Sequence, residues 1–228
     1  MKLILKDIIK SYDKKDVIKK ASFEFEKGKI YGLLGRNGSG KTTLFDCVYG
    51  ELPITSGSIM LDVDGDINRP KVDDVGYVLS TPSVPGFLTA REFVKFFIDI
   101  NKEKIGNLRT IDEYLDIVEI KNEDRDRLIK DYSLGMKNKV QLLMCLIVEP
   151  KVILLDEPLS SFDVVIAEEM KKLLINLKAE HIIIFSTHIM ELAIELCDEI
   201  VILSEGTLSE SPKDKEIIIE RLKKDADA

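Results

Sequence analysis

The stretch Gly35-Arg36-Asn37-Gly38-Ser39-Gly40-Lys41-Thr42-Thr43 constrains this chain more than any other. It fits the pattern G-x-x-x-x-G-K-[ST], with Gly35, Gly40, Lys41 and Thr42 at the defined places. The apolar run Ile30-Tyr31-Gly32-Leu33-Leu34 before it suits a buried parallel strand, and Thr42 to Tyr49 continues as a helix. In that context the glycines let successive backbone N–H groups point at a phosphate, and the helix start adds unpaired donors and partial positive charge. Lys41 is placed to neutralise β/γ-phosphates and the Thr42 hydroxyl to bind Mg²⁺. With Gly near 7% of ordinary residues, the pattern arises by chance in about one chain in a hundred of this length. The matching flanks lower that further.

The 228 residues suit one domain with a substantial core. A formal net charge of −8 argues against nucleic acid or anionic lipid as the main partner. No apolar run approaches the roughly 18 residues that span a bilayer, and Met1-Lys2-Leu3-Ile4-Leu5-Lys6-Asp7 is too short and too charged for a secretory signal. Cys47, Cys145 and Cys197 are far apart, lack metal-ligand spacing and sit in apolar helix-like contexts. They read as buried reduced thiols in a reducing, cytosolic compartment.

Residues 1–34 read as strands, with Leu3, Leu5 and Ile8 first and Phe23-Glu24-Phe25-Glu26 alternating. Asp62-Val63-Asp64-Gly65-Asp66 has its glycine at the fourth place rather than the sixth of a calcium loop, and the twelfth residue is Asp73 rather than Glu, so Asp64-Gly65 is expected to be a hairpin turn. Val75 to Leu79 is another short strand. From Thr89 to Tyr132 the pattern turns helical, opening on the capping box Thr89-Ala90-Arg91-Glu92. Phe93, Phe96, Phe97 and Ile100 follow at one-face spacing and are expected in the core of a helical insert. Val140 to Val148 reads as a helix, and Val152 to Leu155 as a strand ending in Asp156-Glu157-Pro158. His181 to Phe185 is a strand ending near His188, and Ile200–Leu203 with Thr207-Leu208 flanks Glu205-Gly206 as a hairpin. Ser211 and Pro212 are expected to cap a last amphipathic helix.

Ligands of open α/β sheets bind beyond the carboxyl ends of strands. Three such ends carry chemistry here: the glycine-rich loop, Asp156-Glu157, and His188. Successive residues at a strand end point to opposite sides, so the two acids can divide labour. Asp156 is expected to hold Mg²⁺ and Glu157 to polarise the attacking water in line with a γ-phosphate.

Taken together, the chain resembles the ATP-binding subunit of ABC transporters nearly end to end. Tyr12 matches the family's adenine-stacking aromatic. The Walker A match puts Gly35, Asn37, Gly38, Ser39, Gly40, Lys41, Thr42 and Thr43 on the nucleotide, and Walker B covers Val152 to Glu157. Ser160-Ser161-Phe162-Asp163 stands where the family has its D-loop, His188 where it has the switch histidine, and Tyr132-Ser133-Leu134-Gly135-Met136 at the signature. The resemblance implies an α/β fold: a P-loop ATPase core with an N-terminal antiparallel β subdomain and a helical subdomain inserted at about 83–138. It implies ATP and Mg²⁺ as cofactors, with Glu157 and His188 catalytic, Thr42 and Asp156 on the metal, and Asp163 among the nucleotide contacts. It further implies a head-to-tail dimer of two such subunits, with Ser133 and Gly135 of one copy meeting the γ-phosphate held by the other. The pore would be a separate integral membrane permease, holding this cytoplasmic chain at the inner face of the cell membrane.

Two departures stand out. Leu134 and Met136 replace the commonest Gly and Gln of the signature, a form that resembles exporters of drugs, peptides and lantibiotics. Ser80 stands where the family has its Q-loop glutamine, a metal-binding position that a serine is too short to serve without loop movement. Two other readings stand beside transport. A soluble ABC ATPase of translation or repair would bring a second ATPase unit or a long coiled coil, and this chain has neither; a weakly hydrolysing regulator would fit the change at Ser80.

Overall fold

The computed structural model describes residues 1–13, 15–158 and 164–224. The alternating N-terminal segment forms β1 (Lys2–Tyr12) and β2 (Lys15–Glu26), and the apolar run after the Gly28 turn forms β3 (Ile30–Leu34). The glycine-rich loop leads into α1 (Lys41–Tyr49), then β4 (Ser56–Val63), β5 (Asp66–Asn68) and β6 (Val75–Val78). Helices α2 (Ala90–Asn101), α3 (Ile111–Ile117) and α4 (Leu134–Ile147) follow. The second half alternates β7 (Val152–Asp156), α5 (Val164–Leu177), β8 (Ile182–Thr187), α6 (Met190–Leu196), β9 (Glu199–Ser204), β10 (Thr207–Ser211) and α7 (Lys215–Lys224).

Two sheets result. The first is antiparallel, in the order β2-β1-β4-β5, and Asp64 and Gly65 turn β4 into β5 with φ of 55° and 93°. Two successive left-handed residues are what a tight hairpin needs, so the expected turn is present and the calcium loop is not. The second sheet runs β10-β9-β3-β8-β7-β6, parallel except for β10 at one edge. Its strands β3, β7 and β8 are buried along their whole length, which is why they read as unbroken apolar runs.

Alternation sends each strand's residues to two cores. Tyr31, Leu33, Leu154 and Ile184 pack with α1 and the antiparallel sheet, while Ile30, Leu34, Leu155 and Phe185 pack with α4, α5 and α6. Gly32 has no room for a side chain, because a Cβ there would lie 2.6 Å from Cys197 Sγ. All three cysteines are free and buried, and burial raises the thiol pKa of Cys47 to about 11 and of Cys145 to about 12.

A third core joins α2, α3 and α4. Helix α4 belongs to two cores at once: Leu142, Cys145 and Leu146 face the sheet, while Val140, Leu143 and Ile147 face α2 and α3. Because it is buried nearly all round, its apolar run shows no amphipathic stripe. It also starts six residues before that run, at Leu134 rather than Val140, since Ser133 caps it by accepting from the Met136 N–H at 3.2 Å.

Two expectations are corrected. On α2 the buried face is Ala90, Val94 and Ile98; Phe93 and Phe97 are half-buried, and Phe96 and Ile100 are 53% and 61% exposed. The aromatic spacing suggested one stripe, but the insert buries the smaller apolar residues beside it. The Thr89–Glu92 capping box is present in both directions, at 3.1 and 2.9 Å. At the other end of the chain, Ser211 is buried in β10, and α7 is capped by Asp214, whose carboxylate accepts from the N–H groups of Glu216 and Ile217. Strand β10 runs through Ser211 and α7 begins only at Lys215, so the cap position falls on Asp214 and not on the serine.

Candidate active site

The carboxyl ends of β3, β7 and β8 lie side by side, since β8 pairs with both of the others. The loop after β3 carries Gly38 and Gly40 at φ of 81° and 102°, conformations that L side chains resist. Gly40 is the residue just before α1, so the loop's turn and the helix start coincide. Lys41 is 6% exposed, and its Nζ donates to the carbonyls of Gly35 at 2.9 Å and Arg36 at 3.2 Å. It also lies 3.9 Å from Glu157 Oε1. Burial pulls its pKa below the ordinary lysine value, while Glu157 and Asp156 act the other way.

Thr42, at the start of α1, donates its hydroxyl to Asp156 Oδ2 at 2.8 Å. Asp156 is buried at the end of β7 and also accepts from the Ser186 hydroxyl at its Oδ1. Glu157 follows with φ of 48°, a left-handed turn that swings its side chain away from the strand line. Its Oε1 meets His188 Nδ1 at 3.1 Å. A carboxylate only accepts, so this contact places the proton on Nδ1. The structure therefore brings Lys41, Thr42, Asp156, Glu157 and His188 into one connected set.

Other expected residues stand apart from that set. Tyr12 lies at the tip of the β1–β2 hairpin, 43% exposed, with Lys10 Nζ 4.8 Å from its ring centroid. Val17 of β2 comes against the loop, where a Cβ on Gly40 would meet its side chain at 3.0 Å. Ser133 is exposed and Gly135 buried at the start of α4. Ser80 is exposed just beyond β6. Asn37 is exposed and Thr43 half-buried. Asp163 and the rest of Ser160–Asp163 lie outside the described residues.

The loop fits a phosphate chain. Ser39 Oγ is buried without a hydrogen-bond partner among the described residues, and a Cβ at Gly35 would sit 2.5 Å from it. A buried orphan hydroxyl in a loop with glycines at positive φ, just before a helix start, suits an incoming acceptor oxygen. The Thr42 hydroxyl and Asp156 carboxylate form an oxygen pair of the kind Mg²⁺ uses when phosphate and water complete its shell.

Comparison with known proteins decides the family. The profile described as ABC transporter matches residues 18–160. The chain belongs to the ABC transporter family. It is an ABC-type ATPase with the ATP-binding fold of that family. The bacitracin transport ATP-binding protein BcrA of Bacillus licheniformis is 34% identical over 96% of this chain and 70% of its own. The lantibiotic transport ATP-binding protein SrtF of Streptococcus pyogenes is 30% identical over 90% and 88%. A solved dimeric structure of the cassette MJ0796, in a post-hydrolysis state bound to ADP and Pi, has the same fold at 20% identity, with a TM-score of 0.77 over 93% of this chain and 99% of that one. No helix among the described residues is long and apolar enough to cross a membrane.

Sequence reading found the acids but missed Ser186, which ties them together. Its only signal was a hydroxyl residue directly after the apolar run Ile182–Phe185, at the start of the strand's polar end.

Proposed function

We propose that this chain is the ATP-hydrolysing motor subunit of an exporter, working as a head-to-tail pair of cassettes beneath a separate membrane permease. The observation that carries the reading is the connected set Lys41, Thr42, Asp156, Glu157 and His188 at neighbouring strand ends. Lys41 binds the β/γ-phosphates, Asn37, Gly38, Ser39, Gly40 and Thr43 line the loop around them, and Tyr12 stacks on the base. Thr42 and Asp156 are the residues that would hold Mg²⁺, which when bound neutralises charge on the phosphate oxygens. Glu157 draws a proton from the attacking water, and His188 holds Glu157 and reaches the γ-phosphate side. Asp163 is read as a further contact from its place in the sequence. The names of BcrA and SrtF favour peptide antibiotics as the cargo class.

In the paired state, Ser133 and Gly135 offer an anion site at the start of α4, whose first turn carries no acidic residue. That geometry predicts complementation. Lys41→Ala and Ser133→Arg proteins should each be nearly inactive, yet their equimolar mixture should regain up to about a quarter of the parental rate. Half of randomly formed dimers are mixed, and each mixed dimer holds one complete site. A mixture no more active than its components rules out a site built in trans.

The permease would dock at the exposed apolar residues Leu79, Phe87, Phe96 and Ile100, which flank Ser80 or lie on and near α2. We read residues 83–138 as the inserted subdomain of one 228-residue cassette held in this way at the cytoplasmic membrane face. Ser80 is too short to reach a metal held by Thr42 and Asp156 without loop movement, so it would leave that ligand position to solvent. Ser80→Gln should keep ATP affinity within about threefold and raise hydrolysis, because Mg²⁺ tolerates water in its shell but orients substrate better through fixed ligands. A large loss of Mg-ATP binding, read by titration, would show that Ser80 is itself fitted to the site.

A further inference from the structure

Ser186 is the last residue but one of β8 and is wholly buried. A hydroxyl at such a position is costly unless both its proton and its lone pairs are used. Here both are. The strand register sets Ser186 directly beside Asp156 of β7, and its Oγ donates to Asp156 Oδ1. The same Oγ accepts from the Glu157 N–H at 3.0 Å, and the Ser186 carbonyl accepts from that N–H at 3.2 Å.

The two bonds act on different parts of the site. With Oδ1 held by Ser186, the other carboxylate oxygen of Asp156 is turned to Thr42, at 2.8 Å. The bond to the Glu157 N–H steadies a residue whose φ of 48° is disfavoured for any side chain with a Cβ. That turn sends the Glu157 carboxylate to within 3.1 Å of His188 Nδ1 and 3.9 Å of Lys41 Nζ.

We propose that Ser186 is a positioning residue whose single hydroxyl sets the placement of Glu157 relative to Asp156 and thereby the rate of hydrolysis. The inference rests on reading Glu157 as the catalytic carboxylate. Without the hydroxyl, Asp156 keeps its bond from Thr42 but loses the one at Oδ1, and the Glu157 N–H loses the shorter of its two bonds to Ser186. Neither change removes a phosphate contact, so turnover should suffer and nucleotide affinity should not.

The test compares Ser186→Thr with Ser186→Val, which have the same shape and differ only in the hydroxyl. Ser186→Ala adds no bulk and guards against overpacking. Steady-state kcat and KM for Mg-ATP, binding of a fluorescent ATP analogue and the melting temperature are measured for each. Ser186→Thr should keep kcat within about threefold, whereas Val and Ala should lose about tenfold or more with analogue affinity within about threefold. In a Glu157→Gln background, single-turnover rates should show Ser186→Val adding less than about threefold, because residues acting through one another are not additive. Equal kcat for Thr and Val, or a loss confined to nucleotide affinity, overturns the proposal. So does an undiminished effect of Val in the Glu157→Gln background. A Glu157→Gln enzyme that turns over at the parental rate instead sinks the reading of Glu157 itself.

Discussion

Glu157→Gln will bind ATP with nearly parental affinity and hydrolyse it about 10²–10⁴-fold more slowly, the range that a positioned general base contributes. The substitution keeps the side chain's shape, so the left-handed turn at φ 48° and the bonds from its N–H to Ser186 remain. What it removes is the charge facing His188 and Lys41. An amide can orient water but takes up no proton at neutral pH. If ATP held between the two proposed cassettes joins them and its hydrolysis parts them, the variant should also accumulate as an ATP-bound dimer. Size-exclusion chromatography with and without Mg-ATP, beside a phosphate-release assay, reads both effects. Parental turnover would remove Glu157 from the chemistry, and a monomer at saturating ATP would count against the paired state.

Lys41→Ala should abolish productive nucleotide binding, while Tyr12→Ala should weaken it only modestly. The Lys41 ammonium is buried against Glu157 with two carbonyls as its hydrogen-bond partners. Phosphate oxygens would take over those donors, and truncating one member of a buried, hydrogen-bonded charge pair costs about 2–5 kcal/mol. That is a loss of about thirtyfold to several thousandfold in affinity. The loss also leaves Asp156 and Glu157 facing an anionic ligand without the nearest cation. Tyr12 is half in solvent and has an ammonium over its ring, so its removal costs a stacking contact worth about 1–3 kcal/mol at most. Titration with a fluorescent ATP analogue ranks the two, and equal losses would refute the ranking.

Much of the site was legible because its signals are local. The loop Gly35 to Thr43 is one contiguous pattern, and the strand before it and helix after it follow from apolar period and a helix start at Lys41. Asp156-Glu157 and His188 were placed at strand ends by the runs that precede them, and the sheet sets those ends side by side. Turn chemistry was equally direct at Asp64-Gly65. Where the reading failed, two local rules competed. On α2 the aromatic spacing and the Ala90–Val94–Ile98 spacing are both helical stripes, and only packing against α3 and α4 chose between them. At Ser211 a good capping residue was already part of β10.

The sequence by itself determined the phosphate loop, the two adjacent acids, the alternating core of β1 and β2 and the reduced state expected of buried thiols. Each of these depends on residues within a few positions of one another, so the period and order of side chains suffice. Tertiary structure alone decided the pairing of Ser186 with Asp156, thirty residues away along the chain, and the left-handed turn that aims Glu157 at His188. It alone showed α4 buried on two sides, with its start and the signature serine at one point. Register between strands and the choice of buried face are set by contacts among distant segments, and no local pattern carries that information.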